Sequence, residues 1–281
     1  MVKVSADSTC DLSSEIIDQF NIAIVPLYII RDGKDMKDGL EIEPKDIYEY
    51  VEQHGELLKT AAPSVADYAE LFRRQTEDGS EAIHFTISSD MSSSFQNAAI
   101  AAESFDNVRV YDSRNLSSGM GHLVYEAALM ARAGLNCGEI AARLDELTPL
   151  VETSFVVDRL DYLYKGGRCS ALAALGANML SLKPCIEVKE GKMGVAHKYR
   201  GSFDKAVTAY VRDRLDDRDD IVWERCFITH SGCSSATVEK VRRCVEEHGR
   251  FAQVIVTNAG CTVSNHCGPN TLGILFIRKS A

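Results

Sequence analysis

The chain has 281 residues, 45% hydrophobic and 26% charged, which is enough for one large or two smaller globular domains. Its formal net charge of −10 argues against nucleic acid or an anionic lipid surface as the main partner, because such partners favour basic faces. No stretch approaches the roughly 18 consecutive apolar residues of a membrane span, so no transmembrane segment is predicted.

The cysteine pattern indicates a reducing compartment. Nine cysteines are scattered along the chain, an odd number, and none forms a CxxC pair. The N-terminus "MVKVSADST" has the pattern of a strand and lacks that of a signal peptide. We therefore expect reduced thiols in a cytoplasmic protein.

The first half of the chain alternates strand and helix patterns. After the strand "VKVSAD", serines precede the helix "SEIIDQF", and two Asp-Gly pairs in "RDGKDMKDG" predict a small hairpin. Pro44 and Gly55 are placed as the start and stop of a second helix. Ser64 with Asp67 forms an acidic capping box before a third.

Two further strands, "EAIHFTI" and "VRVYDS", are each followed by a helix, an alternation typical of a mostly parallel sheet. Ligands in such sheets bind beyond the carboxyl ends of the strands. The hydroxyl-rich turns "ADSTCD", "ISSDMSSS" and "YDSRNLSS" all follow strands, so we expect them on one edge.

The second half has a different order of predicted elements. The segment "KPCIEVKEGKMGVAHKYR" predicts a hairpin with its turn at Glu-Gly, and further strands flank amphipathic helices. The predicted fold is α/β with two α/β domains. Residues 1–150 form a mostly parallel sheet flanked by helices, and residues 151–281 form a mixed or antiparallel sheet with helices.

Standard catalytic motifs are missing: the sequence has no P-loop, complete dinucleotide loop, nucleophile elbow or HExxH. Cys261, His266 and Cys267, with His230 and Cys233, have spacings that match no zinc template. Buried thiols beside loop histidines explain them better. We predict neither a metal nor a cofactor.

Hydroxyls, one histidine and two arginines remain as candidate binding groups. Ser92 and Ser93 lie at the start of a predicted helix, where they either cap it or use its free amides to bind an anion. Thr60 precedes a proline-bearing turn, and His266 lies in a predicted glycine- and proline-containing loop.

Arg168 and Arg200 are each able to neutralise a carboxylate, although exposed arginines are common. For Asp7 and Asp112, which end strands, an architectural role is favoured over acid–base catalysis.

In their order along the chain, these segments resemble the DegV family of bacterial fatty-acid-binding proteins. The resemblance runs nearly end to end and rests on seven blocks, no one of which is specific alone. They are "ADSTCDL", "KTAAPS", "SSDMSSSFQNA", "KGGRCS", "LKPCIEV", "KYRGSFDKA" and "NHCGPNTLG".

The resemblance implies that a long-chain fatty acid lies between two domains, with its carboxylate held by hydroxyls and a histidine. Thr60, Ser92, His266 and Arg200 match the family's positions, and Ser93 replaces its usual glycine. It also implies that a separate fatty acid kinase catalytic subunit converts the bound acid into an acyl phosphate for phospholipid synthesis. The chain itself is then a lipid-binding protein and not an enzyme.

The sequence departs from the family pattern at Ala61, which replaces a serine, and at Asn270, which replaces a glycine. These changes leave head-group binding intact as an expectation but put the preferred acyl chain in doubt. The acyl chain should dominate the affinity, at about 0.8 kcal/mol per buried methylene. Small residues in "ALAALGANML" either make room for it or simply pack closely.

Two alternatives remain open from the sequence. The first is a phosphotransferase related to dihydroxyacetone-kinase domains, for which His266 is the candidate phosphorylated residue. The second is a serine hydrolase that uses Ser92, His266 and an aspartate, although no elbow motif supports it.

Overall fold

The computed structural model describes residues 2–169 and 182–280, in which the predicted alternation of strands and helices is found. The strands are β1 (Lys3–Asp7), β2 (Ala23–Val25), β3 (Tyr28–Arg31), β4 (Lys34–Lys37), β5 (Lys59–Ala61), β6 (Ala82–Thr86), β7 (Val108–Asp112), β8 (Val151–Val157), β9 (Leu182–Lys189), β10 (Lys192–Arg200), β11 (Ile221–Ser231), β12 (Gln253–Asn258) and β13 (Thr271–Arg278). The helices are α1 (Ser14–Phe20), α2 (Pro44–His54), α3 (Val65–Thr76), α4 (Ser94–Ala102), α5 (Ser117–Arg132), α6 (Cys137–Leu147), α7 (Leu160–Gly166), α8 (Phe203–Leu215), α9 (Ser235–His248) and α10 (Cys261–Cys267).

The first sheet is parallel and has the strand order β2-β1-β6-β7. Strand β6 is buried along its whole length, as expected for a central strand covered on both faces. Because the strands are parallel, the loops after β1, β6 and β7 leave the sheet at one edge. The predicted convergence of the three hydroxyl-rich turns is therefore confirmed.

A second, three-stranded sheet has the order β4-β3-β5 and is antiparallel. Pro26 separates β2 from β3, so the apolar run "IAIVPLYII" supplies one strand to each of two sheets. The turn of the predicted hairpin lies at Asp32-Gly33, and both residues have positive φ. Strand β5, which pairs Thr60 with Ile29, completes the sheet.

The third sheet is mixed and has the order β10-β9-β8-β13-β11-β12, in which only β11 and β12 run parallel. Side chains of β13 alternate between its faces: Ile274 and Phe276 pack with α8 and α9 residues, and Leu275 and Ile277 face the other way. The predicted α/β fold, with one parallel and one mixed sheet, is confirmed.

One continuous apolar cluster joins the parallel and mixed sheets. It contains Phe85 and Leu123 from the first half of the chain and Phe155 and Phe227 from the second. Because this core crosses residue 150, the boundary between residues 150 and 151 stays a prediction. Among the residues that the structure describes, each helix is too short or too polar to span a membrane.

Three helices differ from the sequence interpretation. We did not predict α6 and α7, and the segment around His266, expected to be a loop, is helix α10. The glycines of that segment flank the helix: Gly260 is its N-cap, and Gly268 ends it at φ +77°. The predicted small-residue helix over residues 171–180 lies outside the described residues.

Gly273 allows β13 to lie close to β8, and this contact yields a test of the fold. A Cβ atom at Gly273 would overlap the carbonyl oxygen of Ser154 and lie 2.9 Å from Phe155 Cβ. We expect Gly273→Ala to lower the free energy of unfolding by about 1–3 kcal/mol, as overpacking does. Urea unfolding of the purified variant measures this loss.

Gly194→Ala in β10 is the matched control, because no described atom lies within 4 Å of its Cβ position. Equal stability of the two glycine variants would contradict the close approach of β13 and β8.

Candidate functional site

A cavity of about 320 Å³ lies where the loop after β6, strand β5, the end of α7, strand β10 and helix α10 meet. Most of its wall is apolar, and its polar side chains are hydroxyls, one imidazole and one guanidinium. The described residues that line it are Leu27, Thr60, Ala61, Ala62, Ile87, Met91, Ser92, Ser93, Leu116, Arg168, Met193, Thr262, Val263, His266 and Cys267.

Four of the five predicted binding residues, Thr60, Ser92, Ser93 and His266, line this cavity. Arg200 is placed elsewhere: it lies outside the described lining residues and ends β10 with an exposed side chain beside Gly201. Arg168, weighed from the sequence but not selected, occupies the wall instead. It follows α7, which packs directly on α10.

A hydrogen bond joins Thr60 to His266, with 3.1 Å between Thr60 Oγ1 and His266 Nε2. The two residues are 206 positions apart in the chain, one in β5 and the other in the last turn of α10. The neighbouring Asn265 donates from Nδ2 to the Leu58 carbonyl oxygen at 2.8 Å, which also fastens α10 to the segment before β5.

The imidazole of His266 is neutral at physiological pH. Burial, together with the positive charge of Arg168, lowers the pKa of His266 from 6.5 to about 4. Its Nδ1 atom is buried and has no hydrogen-bond partner among the described residues. It faces Gly166, where a Cβ atom would approach it to 2.5 Å.

These surroundings determine which nitrogen of His266 carries the proton. An orphaned buried N–H is rarer than an orphaned acceptor, and the nearby Arg168 charge favours a lone pair on Nδ1. We therefore assign the proton to Nε2, which then donates to Thr60 Oγ1. The Thr60 hydroxyl proton is left free for an acceptor in the cavity.

Ser92 takes part in helix capping and also faces the cavity. The Ser94 amide, the first of α4, donates to Ser92 Oγ at 3.2 Å, and the two hydroxyl oxygens are 3.0 Å apart. Ser93, the N-cap residue by position, makes no side-chain cap bond and is exposed at the mouth of the cavity. The serine-rich turn therefore begins a helix and supplies donors to the cavity.

Asp7 holds this turn to the parallel sheet, which agrees with the architectural role expected from the sequence. It is fully buried at the end of β1, where its carboxylate accepts from the Ile87 amide at 3.1 Å and from the Tyr68 hydroxyl at 2.7 Å. Because Ile87 starts the loop that leads to Ser92, this bond ties the cavity wall to the sheet.

The charge balance of the cavity favours an anion. Arg168 is the only charged side chain among the described lining residues, and its Nη1 donates to the Gly166 carbonyl oxygen at 2.7 Å. A carboxylate in the cavity would meet one positive charge and the hydroxyls of the lining threonines and serines. Such groups interact more strongly in a largely apolar cavity than in bulk water.

A small, mainly apolar cavity lies beside this one. A second cavity of about 30 Å³ shares Leu116, Val263 and Cys267 with the first, and its surface is mainly apolar. A separate cleft of about 1030 Å³ is larger, but the charges along it pair with one another. In that cleft Glu152 contacts Arg214 and Arg218 at 3.4 and 2.9 Å. The smaller cavity is the better site for an amphipathic anion.

The geometry does not support hydrolysis. In the described residues Ser92 bonds to Ser94 while His266 bonds to Thr60, so no bond joins the proposed serine and histidine. A Thr60–His266 pair would lack the acidic group that orients the base, because His266 Nδ1 is unpartnered among the residues described. With a pKa near 4, His266 is also a weak base.

The cysteines and histidines weighed as a metal site do not gather. Among the described residues no group of three or more potential ligands could hold a metal ion. Eight of the nine cysteines are buried, and Cys261 donates to the Ile42 carbonyl oxygen at 3.0 Å.

Sequence reasoning missed Thr262, whose buried hydroxyl has no partner among the described residues and lies in the cavity wall. It also missed the apolar lining from distant segments, such as Met91, Met193 and Val263. Only the recognition of α10 as a helix would have revealed Thr262 and Val263, which lie one turn before His266.

Known proteins resemble this chain over nearly its whole length. The family model described as "Uncharacterised protein, DegV family" matches residues 1–279. A DegV domain-containing protein of Clostridium acetobutylicum is 30% identical over 99% of each chain. A fatty-acid-binding DegV protein from Thermus thermophilus superposes with a TM-score of 0.89 at 27% identity, covering 99% of each chain. A stearic-acid-binding protein from Eubacterium ventriosum gives a TM-score of 0.86 at 28% identity, again over 99% of each chain.

The protonation state of His266 is directly measurable. We expect its side-chain nitrogen resonances to titrate with a midpoint near pH 4 in the folded protein, because burial opposes the charged form. Since this folded pKa lies below the unfolded value, the stability contributed by the neutral ring is complete above pH 6.5 and is lost as the pH falls through 4. A midpoint near 6.5 would contradict the buried, neutral imidazole.

Proposed function

Because the chain belongs to the DegV family, we propose that it binds one long-chain fatty acid and leaves it chemically unchanged. The observation that carries this proposal is the polarity of the cavity. Thr60, Ser92 and Arg168 supply polar groups to its wall, the rest of the wall is largely apolar, and a smaller, mainly apolar cavity adjoins it. Such a cavity is complementary to a carboxylate with a hydrocarbon tail.

In this proposal the carboxylate accepts hydrogen bonds from the hydroxyls of Thr60 and Ser92. The assignment of the His266 proton to Nε2 supports the first of these bonds, since it leaves the Thr60 hydroxyl proton free. Hydrogen bonds to a charged group contribute about 1.5–3 kcal/mol each. The positive charge of Arg168 adds to them, whereas Arg200 has no place in the head-group site.

In this proposal the tail runs inward past Leu116 and Val263, which line both cavities. Each buried methylene contributes about 0.8 kcal/mol before the cost of association, so the tail supplies most of the affinity. Residues from both halves of the chain, such as Ser92 and Met193, line the cavity. We therefore propose that residues 1–150 and 151–281 are two domains that enclose the ligand between them.

The bound acid is then available to a separate fatty acid kinase catalytic subunit in the cytoplasm. Ser93 and Arg168 are accessible at the mouth of the cavity, which supports presentation of the carboxylate there. A carboxylate oxygen attacks the terminal phosphate of ATP held by the kinase, ADP leaves, and the acyl phosphate serves phospholipid synthesis. The nine cysteines, scattered along the chain without a CxxC pair, are consistent with that compartment.

Analysis of the purified protein for a co-purifying lipid tests this proposal. We expect native mass spectrometry to show one fatty acid per chain, which solvent extraction releases, and the emptied protein to rebind palmitate or oleate. Failure to recover any fatty acid, together with failure of both acids to bind, would overturn it.

The head-group contacts predict the effect of two hydroxyl deletions. Thr60→Ala and Ser92→Ala should each weaken fatty-acid binding by about tenfold or more, as loss of one charge-assisted hydrogen bond does, and the double variant should bind more weakly still. Isothermal titration with emptied protein measures these affinities.

Ser89→Ala is the control, because Ser89 is exposed in the same loop and lies outside the described lining residues. Wild-type affinity in the Thr60/Ser92 double variant would rule out this head-group site.

A further inference from the structure

We propose that Asp11 and Asp38 are positioning residues that together hold helix α10 so that His266 meets Thr60. This inference rests on the proposed function, because it assigns the two carboxylates an effect on the fatty-acid head-group site without contact with the ligand. We call the pair the carboxylate clamp.

The carboxylate clamp binds the first three amides of the α10 segment in succession. Asp11 Oδ1 accepts from the Gly260 amide at 2.8 Å. Asp38 Oδ1 accepts from the Cys261 amide at 2.7 Å, and its Oδ2 accepts from the Thr262 amide at 3.0 Å. All three amides lie in the first turn, where the helix itself provides no acceptors, so the clamp satisfies them from outside.

Both carboxylates are buried, with 5% and 4% of their surfaces exposed. Their remaining partners are hydroxyls: Ser117 donates to Asp11 Oδ2 at 2.5 Å, and Ser8 donates to Asp38 Oδ2 at 3.2 Å. Burial, together with the nearby Asp38 carboxylate, raises the pKa of Asp11 to about 7, which shows that a negative charge here is costly, and amides at a helix start are among the few groups that offset that cost. Such a costly arrangement indicates that the position of α10 is important for the site.

The place of Asp38 in the fold shows why the position of α10 matters. Asp38 directly follows β4, in the three-stranded sheet where the neighbouring strand β3 pairs Ile29 with Thr60 of β5. The clamp therefore fixes α10 to the sheet that carries Thr60. His266 lies five residues beyond Cys261, about 7.5 Å along the helix axis at 1.5 Å per residue.

Helix α10 depends on such anchors because it has only seven residues. Helices this short are not stable by themselves, so their position comes from tertiary contacts. Four of its residues, Thr262, Val263, His266 and Cys267, line the cavity. The one of these that bonds across to β5 is His266, so a small tilt at the clamped end would separate it from Thr60.

The proposal is tested with Asp38→Asn, which is isosteric but turns a donor toward the α10 amides. We expect the His266 nitrogen resonances of the ligand-free variant to titrate with a midpoint raised from about 4 toward 6.5, since a loosened ring is better solvated. Loss of a nearby negative charge alone would lower that midpoint. The direction therefore separates a positioning effect from simple electrostatics.

Affinity provides the second readout. Asp38→Asn should weaken palmitate binding about tenfold in the wild-type background and have little further effect in a His266→Ala background, because the clamp acts through His266. Glu139→Gln is the control: Glu139 caps the remote helix α6, and we expect unchanged His266 titration and affinity. If Asp38→Asn does not fold, Asp38→Ser, which introduces no opposing amide donor, takes its place.

A folded Asp38 variant with an unchanged His266 midpoint would overturn the proposal, as would an equal loss of affinity with and without His266. The titration needs no ligand. If palmitate did not bind the wild-type protein, the proposed function would be wrong. The His266 titration would still test whether the carboxylate clamp positions α10.

Discussion

The hydrogen bond between Thr60 and His266 is the contact on which the site depends. It joins a three-residue edge strand to a seven-residue helix that lies 206 residues further along the chain. Neither element is stable alone, so their meeting requires the surrounding sheets, the Asn265 bond to Leu58 and the amide contacts of Asp11 and Asp38. The candidate site is therefore a product of the tertiary structure as a whole, and no single local motif creates it.

Burial gives that contact its chemical character. A histidine at the surface would titrate near neutral pH, whereas His266 is held neutral by its surroundings and by Arg168. The cavity thus combines one fixed positive charge with neutral donors and an apolar interior. In such an arrangement the polar end orients an amphipathic anion and the apolar walls supply most of the binding energy. Among the residues described, His266 Nδ1 has no hydrogen-bond partner.

Much of the fold was predictable because its signals are local. The alternation of strands and helices indicated the parallel sheet, and the capping residues Ser64 and Asp67 and the turn at Gly55 delimited helices within a residue of their observed ends. The site was only partly predictable. Ser92 and Thr60 lie beside strong local signals, but α10 is shorter than a periodic pattern can reveal. Arg200 was chosen over Arg168 because two exposed arginines look alike in sequence, and only the packing of α7 on α10 brings one of them to the cavity.

A crystal structure of the protein with bound palmitate is the most direct measurement of the central claim, that a carboxylate and its tail are held in opposite parts of one cavity. The predicted result places the carboxylate oxygens about 3 Å from Thr60 Oγ1 and Ser92 Oγ, with the tail directed past Leu116 into the inner cavity. Palmitate bound in the reverse orientation, or in the cleft beside Arg214 and Arg218, would contradict it.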